Sequence, residues 1–299
     1  MGSASKDRPA ESPMLSQAGS VPAGILAACR ERRPRVHFIT NYVTVNDVAQ
    51  MTLAAGGSPV MTDEPLEAED IVLLCNALAC NIGTPSERML EAMLRAGTAA
   101  NRAGIPVVLD PVGAGASAFR NRVLATLLEQ VRFAVIKGNA SEIKYLASGI
   151  GAAAGVDVAD GDRITADNAG VFADLASVLA EKTGAAVVVT GPVDVVVHGG
   201  TGRFAVDSGS PPMGGISGTG CMGTAVLAAF AGASPARSMG EVALAGICAM
   251  DMAGENAEAM LGASCAVPGG APGAFRQHLL DAMAGLSEED LRQARMRAL

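Results

Sequence analysis

Residues 77–109, ALACNIGTPSERMLEAMLRAGTAANRAGIPVVL, contain a strand, a helix and a second strand in succession. Residues 77–82 are predicted to be a strand. Thr84 then has the position of a helix N-cap, with Pro85 at the first helical position and Glu87 three residues after the cap. Gly104 ends this helix, and residues 106–109 form a short apolar run that is typical of a strand buried on both faces of a parallel sheet.

Further strands and helices alternate on both sides of this unit. Strands are predicted at residues 36–40, 133–136 and 186–190, and helices at residues 22–33, 45–55, 120–130, 141–148 and 165–183. Residues 193–198 and 203–206 are predicted to form an antiparallel hairpin, and everything after Cys221 has a helical pattern. These repeats predict an α/β fold with a mostly parallel central sheet and helices on both faces. We predict a single domain over residues 21–299, after a flexible leader of residues 1–20.

The composition excludes several classes of partner. The chain has 299 residues, of which 49% are hydrophobic and 17% charged, which is enough to bury a large core. A net charge of −8 without a dense basic run argues against nucleic acid or an anionic membrane surface as a partner. The apolar part of the longest uncharged stretch, residues 221–233, is too short to span a bilayer, so a soluble protein is predicted.

The cysteines predict a reducing compartment. The chain has six, with no C-x-x-C spacing, and only three histidines, so no zinc site is predicted. Scattered cysteines in a chain of this length are typical of buried, reduced thiols. We therefore predict a cytoplasmic protein.

Ligands in open α/β sheets bind beyond the carboxyl ends of the strands, so the loops that follow the strands are the candidate sites. Residues 214–221, GGISGTGC, lead directly into an apolar helix. Glycines let backbone N–H groups converge, and a helix start adds the positive end of its dipole, which together suit a phosphoryl group. Gly218 and Gly220 are therefore candidate binding residues. A tight turn that lets the helix pack closely on the sheet explains the same glycines.

Cys221 lies in the first turn of that helix, where the pKa of a thiol is expected to fall. It would then accept a proton from an attacking hydroxyl group. The alternative interpretation is a small residue that fits a buried position.

Three more loops carry polar residues. Asp110 follows a buried strand and is a candidate magnesium ligand or, alternatively, a cap. Lys137 is a candidate to contact the nucleotide phosphates, and Glu142 is a candidate for a second carboxylate that organises magnesium near them. The spacing of Asn139 and Glu142 also fits a capping box. Thr190 ends a strand, where its hydroxyl group would meet a phosphate or simply begin a turn.

Two residues are candidates for an acceptor pocket of mixed polarity. Asn41 follows the first strand, and Met61 ends the segment SPVM at residues 58–61. A methionine that fills the core is the alternative for Met61.

Seven motifs occur in a fixed order along the chain. They are HFITNYV at residues 37–43, SPVM at 58–61, NIGT at 81–84, DPVG at 110–113, GNA-x-E at 138–142, TGPVD at 190–194 and GTGC at 218–221. This set resembles the hydroxyethylthiazole kinase family, and the resemblance covers about residues 34–286.

The resemblance implies a ribokinase-like fold and transfer of the γ-phosphoryl group of ATP, with Mg²⁺, to 4-methyl-5-(2-hydroxyethyl)thiazole in thiamine salvage. It also implies a homotrimer with active sites between subunits. The positions that match the family's motifs imply these roles: substrate binding for Asn41, Met61 and Gly218, ATP binding for Lys137, Thr190 and Gly220, metal and phosphate binding for Asp110 and Glu142, and catalysis for Cys221.

The chain departs from the family pattern at Lys137, where an arginine is usual, and at Phe38 and residues 211–215. Lysine keeps the charge of arginine but not its bidentate geometry. Competing interpretations are a ribokinase-like kinase for a hydroxymethylpyrimidine or a sugar, a dehydratase of the same fold, and a nucleotide sensor without turnover. The first two typically carry Asp in place of Cys221.

Overall fold

The computed structural model describes residues 21–148, 163–199, 202–262 and 271–299. The predicted leader and the middle of the predicted hairpin turn lie outside the described residues. The strands are β1 Arg35–Ile39, β2 Ser58–Met61, β3 Ala77–Asn81, β4 Val107–Asp110, β5 Val135–Asn139, β6 Ala186–Thr190, β7 Asp194–His198, β8 Gly202–Val206 and β9 Met296–Ala298. The helices are α1 Ile25–Arg32, α2 Val45–Ala54, α3 Ala68–Leu73, α4 Glu87–Ala103, α5 Ala118–Gln130, α6 Ala140–Ser148, α7 Ala169–Thr183, α8 Thr219–Ala233, α9 Met239–Leu261, α10 Pro272–Gly285 and α11 Glu288–Arg292.

The strands form one sheet in the order β2-β1-β3-β4-β5-β6-β7-β8-β9. All pairings from β2 to β6 are parallel, and those from β6 to β9 are antiparallel. The prediction of a mostly parallel sheet with an antiparallel hairpin is therefore confirmed. Because the strands from β1 to β6 run in one direction, their carboxyl ends lie along a single edge of the sheet.

Alternate side chains of the strands pack into two separate hydrophobic cores, one on each face of the sheet. Val188 and Val196 belong to the core shared with α1, α2, α8, α9 and α10, whereas Val187 and Val195 belong to the core shared with α4 to α7. Both sets are almost fully buried. The sheet thus carries helices on both faces, which explains why its central strands read as continuous apolar runs.

Two local predictions are wrong, and one strand was not predicted. The N-cap of α4 is Ser86, whose hydroxyl group accepts a hydrogen bond from the amide of Met89, and not Thr84. The edge strand β2 was quoted in the sequence only as a motif, because four half-buried residues give no strand period. The end of the chain is not entirely helical, since Met296–Ala298 pairs with β8; a three-residue strand depends on its partner and leaves no pattern of its own.

The helix α8 passes through the middle of the molecule. Every residue from Met222 to Ala233 is buried, so the helix is apolar around its whole circumference. Its first turn faces the carboxyl edge of the sheet. None of the helices in the described parts of the chain has the length and hydropathy needed to cross a membrane.

Candidate active site

A cavity of about 350 Å³ opens at the carboxyl edge of the parallel strands. It lies between the strand ends and the first turn of α8. The predicted site residues that line it are Asn41, Asp110, Lys137, Glu142, Thr190, Gly218, Gly220 and Cys221. Residues that are far apart in the sequence therefore meet at the carboxyl ends of the strands, as predicted from the loops that follow those strands.

The glycine loop packs against the segment that follows β1. Gly218 is the N-cap of α8 and has a φ of 95°, in the left-handed region that favours glycine. A Cβ atom there would lie 2.7 Å from Cγ2 of Thr44, so a larger residue would push the two segments apart. The amide of Met222 bonds to the carbonyl of Gly218, and the preceding amides of the first turn have no intrahelical acceptor. Gly220 and Cys221, which carry two of these N–H groups, line the cavity.

The thiol of Cys221 lies among polar side chains at the third position of α8. Its sulfur accepts hydrogen bonds from Nδ2 of Asn81 at 3.2 Å and from Nδ2 of Asn41 at 3.5 Å. Burial and the nearby carboxylate of Asp110 nevertheless raise the pKa of this thiol, while the hydrogen bonds and Lys137 only partly oppose the rise. The predicted lowering of the pKa of Cys221 is therefore wrong in this structure, because burial outweighs the helix start.

Asp110 is the last residue of β4 and is 1% exposed. Its Oδ2 atom accepts hydrogen bonds from Nδ2 of Asn81 at 2.9 Å and from the hydroxyl group of Thr224 at 2.7 Å. The ammonium group of Lys137 lies 3.7 Å from the same oxygen. These three contacts fall on Oδ2, and Asp110 lines the cavity.

Lys137 is a buried cation at the centre of the site. Its side chain reaches from β5 to the start of α8, where Nζ donates a 2.8 Å hydrogen bond to the carbonyl of Gly220. Burial by itself lowers the pKa of Lys137, but the surrounding groups, first among them Asp110 and Cys221, raise it above its ordinary value. The site therefore retains one positive charge beside the cavity.

Glu142 forms the capping arrangement that the sequence suggested. Its amide donates to Oδ1 of Asn139 at 2.9 Å, and its Oε2 accepts from the amide of Asn139 at 2.7 Å. Oε1 accepts from the amide of Gly113 at 2.8 Å, which ties the loop after β4 to α6. Burial and then the charge of Asp110 raise the pKa of Glu142 to about 7, against the effect of these amides. The residue is thus both a cap and a member of the cavity wall.

The remaining predicted residues fall into two groups. Thr190 ends β6 beside Asn139, and its hydroxyl group lies 3.4 Å from the carbonyl of Gly138. Asn41 is 3% exposed and its Oδ1 accepts from the amide of Thr44 at 3.0 Å. Met61 does not join them: it lies at the end of the edge strand β2, packs against the core and is not part of the cavity wall.

Two buried polar residues that shape the site were not predicted from the sequence. Asn81 ends β3 and Thr224 lies one turn into α8, and both contact Asp110. Asn81 belongs to a quoted motif and ends a strand next to Asp110, which was a usable signal. Thr224 carries the hydroxyl group within an otherwise apolar helix. Threonine also occurs at ordinary core positions, so its presence there did not indicate a site.

Arg120, on α5 and half-buried, is a third polar residue that was not predicted. Its guanidinium group donates to the carbonyls of Ile82, Gly83 and Val112, at distances of 2.5, 2.8 and 2.8 Å respectively. It therefore holds together the loops that follow β3 and β4. No motif in the sequence pointed to it.

Comparisons with known proteins agree with this geometry. The model of the hydroxyethylthiazole kinase family matches residues 26–289. The chain belongs to the hydroxyethylthiazole kinase family. A hydroxyethylthiazole kinase of Desulfovibrio desulfuricans is 51% identical over 264 residues, which cover 87% of this chain and 92% of that protein. One of Methanoculleus marisnigri is 45% identical over 273 residues, which cover 91% of each protein.

Solved structures confirm the predicted ribokinase-like fold. The hydroxyethylthiazole kinase protein of Pyrococcus horikoshii OT3 superposes with a TM-score of 0.78 at 33% identity, covering 92% of this chain and 97% of that one. A ribokinase-like superfamily protein of Enterococcus faecalis superposes with a TM-score of 0.52 at 13% identity, covering 90% of this chain and 92% of that one. At that identity the second match shows the fold alone. The family prediction made from the seven motifs is therefore confirmed.

Proposed function

We propose that this protein uses ATP to phosphorylate the hydroxyl group of 4-methyl-5-(2-hydroxyethyl)thiazole, a step of thiamine salvage. One observation carries this proposal. The start of α8, the cation of Lys137 and the carboxylates of Asp110 and Glu142 all face one cavity of about 350 Å³. Phosphoryl transfer needs groups that position two substrates and stabilise the migrating charge, and this wall supplies them. The relatives of the chain are named for this reaction.

ATP is proposed to bind at the side of the cavity formed by β5, β6 and α8. Lys137, Thr190 and the backbone of Gly220 line this side, and all three offer groups that favour a phosphate. A protein with a net charge of −8 has to compensate a triphosphate locally, and a buried ammonium group beside a helix start provides that compensation.

Asp110 and Glu142 are proposed to hold Mg²⁺. Both are carboxylates in the cavity wall, and such hard oxygen ligands suit this ion. No cluster of three or more His, Cys, Asp or Glu side chains that could hold a metal occurs among the residues described. That fits magnesium, which is usually bound by one or two carboxylates together with water and phosphate oxygens. When bound, the ion would neutralise charge on the phosphates.

The acceptor is proposed to bind near Asn41 and Gly218, with its hydroxyl group toward Cys221. The oxygen of that hydroxyl group attacks the γ-phosphorus, the bond from this phosphorus to the β,γ-bridging oxygen breaks, ADP leaves, and the hydroxyl proton passes to water. Because burial and Asp110 raise the pKa of Cys221, the thiol form is favoured. We therefore assign Cys221 to positioning the hydroxyl group, because a thiol already carries its proton and cannot accept another.

We further propose a homotrimer with active sites between subunits. Met61 ends the edge strand β2 and is separated from the cavity of its own chain. Tyr42 and Leu66, in the segments after β1 and β2, are 77% and 82% exposed. Exposed apolar side chains beside a free sheet edge favour an association surface, and a second copy there would bring its own Met61 to a neighbouring cavity.

Two further proposals concern the cellular location and the domain organisation. The five cysteines in the parts of the chain that the structure describes are free thiols, which supports a cytoplasmic location. The one continuous sheet supports a single domain for residues 21–299.

The test is ADP release with ATP and Mg²⁺ against a panel of alcohols. The proposal expects release that depends on the hydroxyethylthiazole and stays at background with hydroxymethylpyrimidine and with sugars. Release that depends on one of those other alcohols would replace the acceptor. Binding of ATP without release under any acceptor would favour a nucleotide sensor.

A further inference from the structure

The side chain of Asn81 lies between Asp110 and Cys221. It is 2% exposed and lies at the end of β3, directly beside Asp110 in the parallel register. Its Nδ2 atom donates to Oδ2 of Asp110 at 2.9 Å and to Sγ of Cys221 at 3.2 Å. One side-chain amide therefore bridges the proposed metal ligand and the proposed positioning thiol.

The orientation of this amide is fixed by the backbone. The N–H group of Gly83 can only donate, and it lies 2.9 Å from Oδ1 of Asn81. The carbonyl oxygen must therefore face Gly83, so that the NH₂ group faces Asp110 and Cys221.

A second amide fixes the first. The N–H group of Thr44 donates to Oδ1 of Asn41, so the NH₂ group of Asn41 must face the other way. That NH₂ group contacts Oδ1 of Asn81 at 3.0 Å and Sγ of Cys221 at 3.5 Å. The two amides thus form a chain whose hydrogens end on the sulfur atom.

We infer that Asn81 is a positioning residue for phosphoryl transfer, which holds Asp110 and Cys221 in register and directs an N–H group at the sulfur, where it partly offsets the burial that disfavours negative charge. The inference rests on the proposed function for the reaction itself. Its physical core, the coupling of Asn81 to Cys221, does not depend on which alcohol is phosphorylated. An N–H donor stabilises a thiolate more than a thiol, so the loss of Asn81 should make the thiolate harder to form.

The variant Asn81→Asp replaces the NH₂ donor by a carboxyl group, so its effect combines the lost donor with added charge, and Asn81→Ala separates the two. The aspartate variant keeps the size of the side chain and an oxygen that accepts from Gly83, but it replaces the NH₂ group by an oxygen. Asn101→Asp is the matched control, because Asn101 also donates its Nδ2 to a carbonyl, that of Arg132 at 2.9 Å, far from the cavity. Both variants lose one amide donor and gain one carboxylate.

The readout is the pH dependence of iodoacetamide alkylation at Cys221, followed by mass spectrometry of its peptide, with Cys221→Ala as the blank. We expect alkylation of Asn81→Asp to be about tenfold slower at a fixed pH below the midpoint, which corresponds to about one unit in thiol pKa. We also expect kcat to fall about 10- to 100-fold while the Kd for ATP changes by less than about threefold. The control should match the unsubstituted protein in both measurements.

Asn81→Ala provides a second route should the aspartate variant lose its fold, as judged by its circular dichroism and Tm. It removes the donor without adding charge, and the alkylation midpoint should again move to higher pH. An unchanged midpoint in a folded Asn81 variant, or an equal shift in Asn101→Asp, would overturn the inference. Absence of thiazole phosphorylation in the unsubstituted protein would instead remove the proposed function and leave the alkylation result standing.

Discussion

The ammonium group of Lys137 donates a 2.8 Å hydrogen bond to the carbonyl of Gly220, so a buried cation is fixed at the start of α8. The contact joins the end of a parallel strand to the helix that closes the cavity. It also places the positive charge beside the first turn of α8, where Gly220 and Cys221 line the cavity. Nucleotide binding should therefore depend on this one side chain.

Replacement of Lys137 by Met should weaken ATP binding about 10- to 100-fold, because a charged hydrogen-bond donor to phosphate is lost. Lys137→Arg should keep a larger part of the affinity, since it retains the charge. Titration calorimetry with ATP measures both. Lys144→Ala, on α6 and away from the cavity wall, should bind ATP normally; equal losses in the two positions would refute a specific role for Lys137.

Replacement of Cys221 by Ala should lower kcat about 10- to 100-fold and leave the Kd for ATP nearly unchanged. The reason is that Cys221 lines the cavity in which we propose that the acceptor binds, while its raised pKa favours positioning over proton abstraction. Steady-state kinetics and calorimetry separate the two effects. Cys75→Ala, whose thiol lies outside the cavity wall, is the control, and full activity of Cys221→Ala would end its proposed role.

Magnesium dependence should change with pH through Glu142. The pKa of this carboxyl group is raised to about 7, so the group gains a proton as the pH falls from 8 to 6. A protonated carboxyl group is a poor metal ligand, and the Mg²⁺ concentration for half-maximal activity should rise over that interval by about tenfold or less. Glu142→Gln should need more Mg²⁺ at every pH and lose this dependence. A parallel pH dependence in the variant would exclude Glu142 as its source.

A buried pair of acids should make stability fall as the pH rises. Burial raises the pKa of Asp194 to about 7, and burial together with Asp194 raises that of Asp251 well above its usual value. In the unfolded chain both lose their protons near pH 4, whereas the folded protein retains them. The unfolded state then binds fewer protons, so the free energy of unfolding decreases between about pH 4 and 7.

Asp251→Asn should reduce that decrease by about 1–3 kcal/mol, since one of the two carboxyl groups no longer resists ionisation. Guanidinium unfolding at pH 5 and at pH 8 measures the difference. Asp174→Asn, whose side chain is 73% exposed in an ion pair with Arg203, should leave the pH dependence as it is. Identical slopes for the Asp251 variant and the unsubstituted protein would contradict the assignment.

Subunit mixing tests the proposed sites between chains. Met61→Asp and Cys221→Ala should each be nearly inactive alone. Co-expression should restore about a quarter of the activity of the unsubstituted protein, because about three quarters of random trimers are mixed and each has one intact site of three. No recovery in co-purified mixed trimers would place the whole site within one chain.

The positions of the cavity residues could be predicted from the sequence where strand ends were recognisable. Asp110 ends a continuous apolar run and Gly218 precedes an apolar helix, so both could be placed at one edge of a parallel sheet without coordinates. Asn81 also ends a strand, yet its role depends on which neighbours its amide meets. Arg120 contacts three backbone carbonyls. Every residue has a backbone carbonyl, so the residue types in those loops do not predict this contact.

The sequence by itself determined the alternation of strands and helices, the glycine loop before α8 and the family, because these follow from short-range periodicity and from motifs in a fixed order. Only the tertiary structure decided the ionisation of Cys221, the separation of Met61 from the cavity and the pairing of β9. Burial, the distance between charges and strand pairing each depend on residues that are far apart in the sequence. No local sequence pattern therefore predicts them.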